Sequence, residues 1–123
     1  LAGRFEILLV EGAGGLLSPL GEGFDNRDLL GRLRATPIIL VPNRLGAVGQ
    51  ARLTLAALPR LAVAHVVLVG QEKADRSART NAALLAEFNP GRTIFRWPWL
   101  RCSEKLSGSK NIALIADELT TRL

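Results

Sequence analysis

Apolar residues fall into four short runs rich in branched side chains, separated by segments whose apolar positions recur at helical spacing. The first run, Phe5 to Val10, closes at Glu11 and the glycines that follow. Asp25, with Asp28 three residues on, reads as an N-cap and its reciprocal acid. It opens a short helix through Leu29, Leu30 and Leu33 that must stop before Pro37. The second run, Ile38 to Val41, ends at Pro42-Asn43, and Gly46 then opens a helix with Val48, Leu53, Leu55 and Leu58 as apolar positions and Pro59 as its stop. Val63 to Val69 is the third run, after which Asp75 caps a helix through Ala78, Ala82, Leu85 and Phe88. The fourth, Thr93 to Trp97, breaks at Pro98, and beyond a polar link Ser109 caps a last helix through Ile112, Ile115 and Leu119.

Strands apolar on both faces, alternating with helices, predict an α/β fold: a parallel sheet covered by helices on both faces. Four strands make a thin sheet with long edges, which suggests neighbours beyond this chain. At 123 residues the chain has the length of one domain, so residues 1–123 are expected to form a single unit. The composition, 48% apolar and 22% charged, is that of a globular protein and excludes a disordered or fibrous one. There is no methionine, and the chain begins at Leu1, so a preceding segment is expected.

Charge narrows the choice of partners. The net charge is +5, and 13 of the 16 basic residues are arginines scattered from Arg4 to Arg122, with no basic run to follow a phosphate backbone. Nucleic-acid binding is therefore not expected. Uncharged stretches such as Leu61 to Gln71 fall short of the roughly 18 to 20 residues that cross a bilayer, and nothing reads as a signal peptide. Cys102 is the only cysteine, so no internal disulfide can form and a reducing, cytoplasmic setting fits. The only histidine, His65, sits in an apolar strand-like run and is poorly suited to activate that thiol.

Open α/β sheets bind ligands at the carboxyl ends of their strands, so the loops there are the places to look for chemistry. Glu11-Gly12-Ala13-Gly14-Gly15 follows the first run. It sets one carboxylate beside backbone N–H groups that an anion can approach, a combination suited to Mg²⁺ and phosphate, the other reading being a strand-end turn that needs glycine for backbone reasons alone. A dinucleotide fingerprint would need a glycine where Leu17 stands, and Gly108-Ser109-Lys110 has the wrong order for a phosphate-clamping P-loop. After the second run, Arg44 and the helix start Gly46-Ala47-Val48-Gly49 suit a carboxylate or phosphate, the other reading of Arg44 being an exposed strand-end residue. Trp97-Pro98-Trp99 after the fourth run offers aromatic faces for stacking a base, or anchors for a core or interface.

The string Leu9-Val10-Glu11-Gly12-Ala13-Gly14-Gly15-Leu16-Leu17-Ser18-Pro19-Leu20 resembles the glycine-rich segment of dethiobiotin synthases. Phe24-Asp25, Asp28-Leu29, Pro37-Ile38-Ile39-Leu40-Val41, Asn43-Arg44-Leu45-Gly46, Leu53-Thr54-Leu55, Pro98-Trp99-Leu100 and Gly108-Ser109-Lys110-Asn111-Ile112-Ala113-Leu114 are similar to that family's later blocks, in the same order. The likeness spans nearly the whole chain.

The resemblance implies the C-terminal half of a P-loop NTPase-like, Rossmann-type three-layer enzyme. The family carboxylates 7,8-diaminononanoate (diaminopelargonic acid) with CO₂, phosphorylates the carbamate with ATP and Mg²⁺, and closes a ureido ring. By position, Glu11 resembles the Mg²⁺ carboxylate, and Gly12, Ala13 and Gly14 the backbone contacts to phosphate and carbamate. Gly46, Ala47, Val48 and Gly49, with Arg44, resemble the anchor for the substrate carboxylate, at a site the family shares across a homodimer. Trp97, Pro98 and Trp99 resemble the adenine-pocket segment. The family's P-loop half has no counterpart here, so this chain alone is expected not to turn over ATP. The family's adenine-reading Asn is replaced by Val69-Gly70, with Gln71 as the nearby substitute, and Gly49-Gln50 replaces a polar pair. An alternative reading is a non-catalytic dimerisation or ligand-binding module derived from the family; an amide ligase of cobyrinic acid type is disfavoured by the match at Pro98-Trp99-Leu100.

Overall fold

The computed structural model describes residues 7–59 and 63–100, arranged as two compact units, Leu1–Ala35 and Thr36–Leu123. The final helix expected from Ser109, Cys102 and the Gly108-Ser109-Lys110 segment lie outside the described residues.

In the first unit a two-stranded antiparallel ribbon, β1 (Pro19–Gly21) and β2 (Phe24–Asp25), leads into helix α1 (Asn26–Leu33). Gly23, at φ 62°, makes the turn between the strands. α1 starts where the acidic pair predicts. The Asp25 carboxylate accepts from the Asp28 N–H at 3.0 Å, and Asp28 returns the bond to the Asp25 N–H at 2.9 Å. It ends at Arg34, left-handed at φ 50°, three residues before Pro37.

The second unit is built on a parallel sheet, β3 (Ile38–Pro42), β4 (His65–Val69) and β5 (Ile94–Trp97), in that order. Helix α2 (Ala47–Ala57) connects β3 to β4; a 3₁₀ turn (Arg76–Arg79) and helix α3 (Asn81–Phe88) connect β4 to β5. The register places Ile39, Val66 and Ile94 in one row across the sheet and Val41 and Leu68 in the next, all on one face. α2 and α3 pack on that face through Ala47, Ala51 and Leu85. Ala47 and Ala51 lie one turn apart, and their small side chains let α2 sit close to the strands. On the opposite face Val67 and Phe95 are buried, with Ile38, Val69 and Trp97 packed against them. The expected parallel α/β architecture is thus present.

Two local expectations are revised. Residues 7–10 form no strand and are exposed, because an apolar run becomes a strand only where a ladder partner exists, and among the described residues none pairs with them. Asp75 caps the 3₁₀ turn rather than a continuous helix, and α3 begins afresh at Asn81. The ribbon β1–β2 was not expected, although Gly21-Glu22-Gly23 marks its turn.

Both aspartate caps carry a depressed pKa. The Asp28 N–H bond holds the Asp25 carboxyl below the usual 3.8, and the Ser77 hydroxyl, followed by the Leu45 N–H, does so for Asp75. A carboxyl lowered in the folded state stabilises it fully above the unfolded value, and this contribution is lost as pH falls from there through the folded value. Asp25→Ala is therefore expected to reduce helical circular dichroism at neutral pH, with the difference from the parent shrinking as pH falls below the ordinary carboxyl value of 3.8. A difference that stays constant through the acid titration would count against charged capping.

Candidate functional site

The glycine loop after residue 10 belongs to the first unit, and a side chain outside the loop shapes it. The Asn26 amide donates through Nδ2 to the Ala13 carbonyl at 2.8 Å and to the Gly15 carbonyl at 2.9 Å. Ser18 Oγ accepts from the Gly15 N–H at 2.8 Å, and the Ser18 N–H returns a bond to the Gly15 carbonyl. Loop carbonyls are thereby drawn toward Asn26. The N–H groups of Gly12, Ala13 and Gly14 meet no acceptor among the described residues.

At two glycines a side chain would displace the groups that shape the loop. A Cβ on Gly12 would stand 2.5 Å from Asn26 Oδ1, and one on Gly14, already at φ +79°, would stand 2.5 Å from Ser18 Oγ. Glu11 is exposed at the head of this loop. Among the described residues no three His, Cys, Asp or Glu side chains gather into a metal site. One carboxylate still fits Mg²⁺, which commonly takes one or two protein carboxylates and draws its other ligands from water and substrate oxygens. The clamping Asn26 escaped the sequence reading because its acceptors lie 11 and 13 residues away.

In the second unit the strand ends are tied to one another. The Asn43 N–H donates to the Val69 carbonyl and the Gly70 N–H to the Trp97 carbonyl, both at 2.7 Å, so the pairing continues past β3, β4 and β5. A Cβ at Gly70 would lie 2.6 Å from the Trp99 backbone nitrogen, so only glycine lets the 97–99 turn lie against the end of β4.

The loop that opens α2 is held from behind. Asn43 and Asn81 are buried at 7% and 4% exposure. Asn81 Nδ2 donates to Asn43 Oδ1 at 2.9 Å and to the Arg44 carbonyl at 3.1 Å, while Asn43 Nδ2 donates to the Ala78 carbonyl at 3.1 Å. Asp75 Oδ2 accepts the Leu45 N–H at 2.7 Å. The N-cap, Gly46 at φ 90°, supplies no side-chain cap. Among the described residues the N–H groups of Val48 and Gly49 have no acceptor, Ala47 is buried, and the Arg44 side chain is exposed.

A cavity of about 870 Å³ opens at the ends of the strands. Trp97, Pro98 and Trp99 line it together with Gln71 and three arginines, Arg76, Arg79 and Arg96. Arg44 and residues 46–49 are not part of its lining. None of the three arginines forms an ion pair among the described residues. One carboxylate, Asp75, also lines the cavity, so it joins aromatic surface to an excess of positive charge, a combination suited to an anionic aromatic ligand.

A parallel sheet alternating with helices places the second unit in the class of P-loop NTPase-like α/β proteins. A family model described as "AAA domain" matches residues 1–106, and the chain belongs to that family. Within it, the chain is 39% identical over 103 residues to the ATP-dependent dethiobiotin synthetase BioD of Anaeromyxobacter dehalogenans (strain 2CP-1), covering 80% of this chain and 46% of the relative. The protein of the same name from Anaeromyxobacter sp. (strain K) gives the same figures. That of Xanthomonas campestris pv. campestris (strain B100) is 40% identical over 58 residues, 47% of this chain and 26% of the relative. The resemblance to dethiobiotin synthases therefore holds, and the chain spans about half the length of the Anaeromyxobacter relatives. No solved structure matches significantly. Among the described residues no helix is long and apolar enough to cross a membrane.

Proposed function

We propose that the chain supplies the ligand-handling C-terminal half of an ATP- and Mg²⁺-dependent dethiobiotin synthase acting on 7,8-diaminononanoate and CO₂. The single observation that carries this reading is the glycine loop. Asn26 turns its carbonyls inward and leaves the N–H groups of Gly12, Ala13 and Gly14 available beside Glu11. Such a nest stabilises developing phosphate and carbamate charge without reorganising. Glu11 holds Mg²⁺, which neutralises phosphate charge when bound. The free N–H groups of Val48 and Gly49 at the start of α2, with Arg44, take the substrate carboxylate. The cavity at Trp97, Pro98 and Trp99 takes the nucleotide base.

The reaction also needs a lysine clamp on the transferred phosphoryl group, which an N-terminal half carries in this reading; the chain acts in the cytoplasm, within a homodimer. Joined to the N-terminal half of the Anaeromyxobacter dehalogenans synthetase, the chain is expected to form dethiobiotin from 7,8-diaminononanoate, CO₂ and Mg·ATP. The chain alone should not. A folded, dimeric chimera without activity would instead favour a non-catalytic binding module.

A further inference from the structure

We infer that Arg76, Arg79 and Arg96 form a phosphate-binding site of their own, separate from the glycine loop. All three line the cavity at the strand ends, and they reach it from two elements. Arg76 and Arg79 are three residues apart on the 3₁₀ turn, whose period is three residues, so both side chains leave the same edge. Arg96 stands on β5 opposite Leu68, on the face of the sheet that α3 covers, and the 3₁₀ turn leads directly into α3. The turn is held in place. Asn43 Nδ2 donates to the Ala78 carbonyl at 3.1 Å, and the Asp75 carboxylate caps the start by accepting the Ser77 N–H at 2.9 Å.

The guanidinium groups themselves are unspent: among the described residues they donate no hydrogen bond and form no ion pair. Asp75, the one acid in the described lining, uses its oxygens on the Leu45 N–H and on the Ser77 N–H and hydroxyl rather than on an arginine. Like charges on one edge of a turn repel, and an anion held between them and Arg96 offsets that repulsion. Each guanidinium is a planar fork that bonds two oxygens at once. Three forks suit the tetrahedral oxygens and greater charge of a phosphate group better than the two oxygens of a carboxylate. Free inorganic phosphate and the phosphate of a nucleotide whose base lies on the indoles share this chemistry. Phosphate binding here needs no base in the cavity, so it stands or falls apart from the base site of the proposed function.

Inorganic phosphate is the first probe. Its phosphorus-31 line is expected to broaden when the chain is added at low ionic strength, and about half or more of that broadening should be lost in Arg79→Gln/Arg96→Gln, with circular dichroism unchanged. A charge-matched control on α1, Arg27→Gln/Arg32→Gln, is expected to keep it. No broadening in the parent would overturn the site. Broadening untouched in Arg79→Gln/Arg96→Gln would also overturn it, by placing the phosphate elsewhere, as on the glycine loop. Equal loss in the control would do the same, by reducing the effect to net charge. Quenching of Trp97 and Trp99, the only two tryptophans in the chain, by adenosine monophosphate and by adenosine separates the two sources of phosphate. A half-saturation about tenfold lower for the monophosphate, lost in Arg79→Gln/Arg96→Gln, assigns the site to the phosphate of a bound nucleotide. Equal values, with the phosphorus-31 result as expected, assign it to free phosphate. Quenching by neither would overturn the base site of the proposed function and leave the phosphate site to the phosphorus-31 result.

Discussion

Asn81→Leu is expected to lower the free energy of unfolding by about 3 kcal/mol and the thermal midpoint by roughly 10 to 15 °C. Leucine is close to asparagine in size, so the loss comes from polar groups rather than from a cavity. Asn81 Nδ2 serves Asn43 Oδ1 and the Arg44 carbonyl, and its residue is 4% exposed. Removing the donor strands at least one buried acceptor that water cannot readily reach, and each such group costs about 1 to 3 kcal/mol. The Asn43–Asn81 pair also spans 38 residues of sequence, joining the loop after β3 to the start of α3. Its loss should therefore loosen the α2 entry loop as well as α3. Urea unfolding measures the effect as a shift in midpoint at unchanged slope. Glu87→Ala, on the exposed side of the same helix, is the control and should fall within about 0.5 kcal/mol of the parent. A shift no larger than that control would show that the asparagine pair is replaceable.

Glu11→Gln, in an active chimera with the N-terminal half, is expected to lower kcat by about a hundredfold or more while moving the thermal midpoint by less than about 2 °C. Glu11 is exposed, and among the described residues it forms no ion pair or hydrogen bond, so folding gains little from its charge. Its proposed value is in holding Mg²⁺ against the transferring phosphate, which glutamine, without charge, does poorly. Raising Mg²⁺ should recover part of the lost rate if the ion is bound more weakly. If stability and kcat fell together, the loop would be a structural turn and its carboxylate would have no role in the chemistry. Steady-state kinetics at two Mg²⁺ concentrations, with a melting curve on the same preparations, separates these outcomes.

Much of the local structure was legible because its causes are local. Asp25 and Asp28 meet across three residues, so the capping box could be read directly, and Gly46 and Pro59 bracket α2 for similarly short-range reasons. The three paired strands were legible as well, since branched residues on both faces demand burial on both sides. Residues 7–10 carry the same pattern and form no strand. Burial of a run needs a neighbour to pair with, and no residue inside the run specifies one. The site divides in the same way. Its loops and glycines were legible, whereas the groups that shape them were not: Asn26 on the glycine loop, Asn81 behind Arg44, and Asp75 on the Leu45 N–H.

On its own, the order of residues determined the alternation of strands and helices, the helix caps, the loops that carry candidate chemistry and the kinship with dethiobiotin synthases. Tertiary structure alone decided which carbonyls Asn26 turns inward, that Asn81 serves Asn43 and the Arg44 carbonyl, and that Trp97, Trp99 and three arginines share one cavity. The physical reason is range. Capping and turn formation are settled within a few bonds of chain, but a hydrogen-bond partner dozens of residues away is selected only when packing brings the two together and excludes the water that would otherwise serve both.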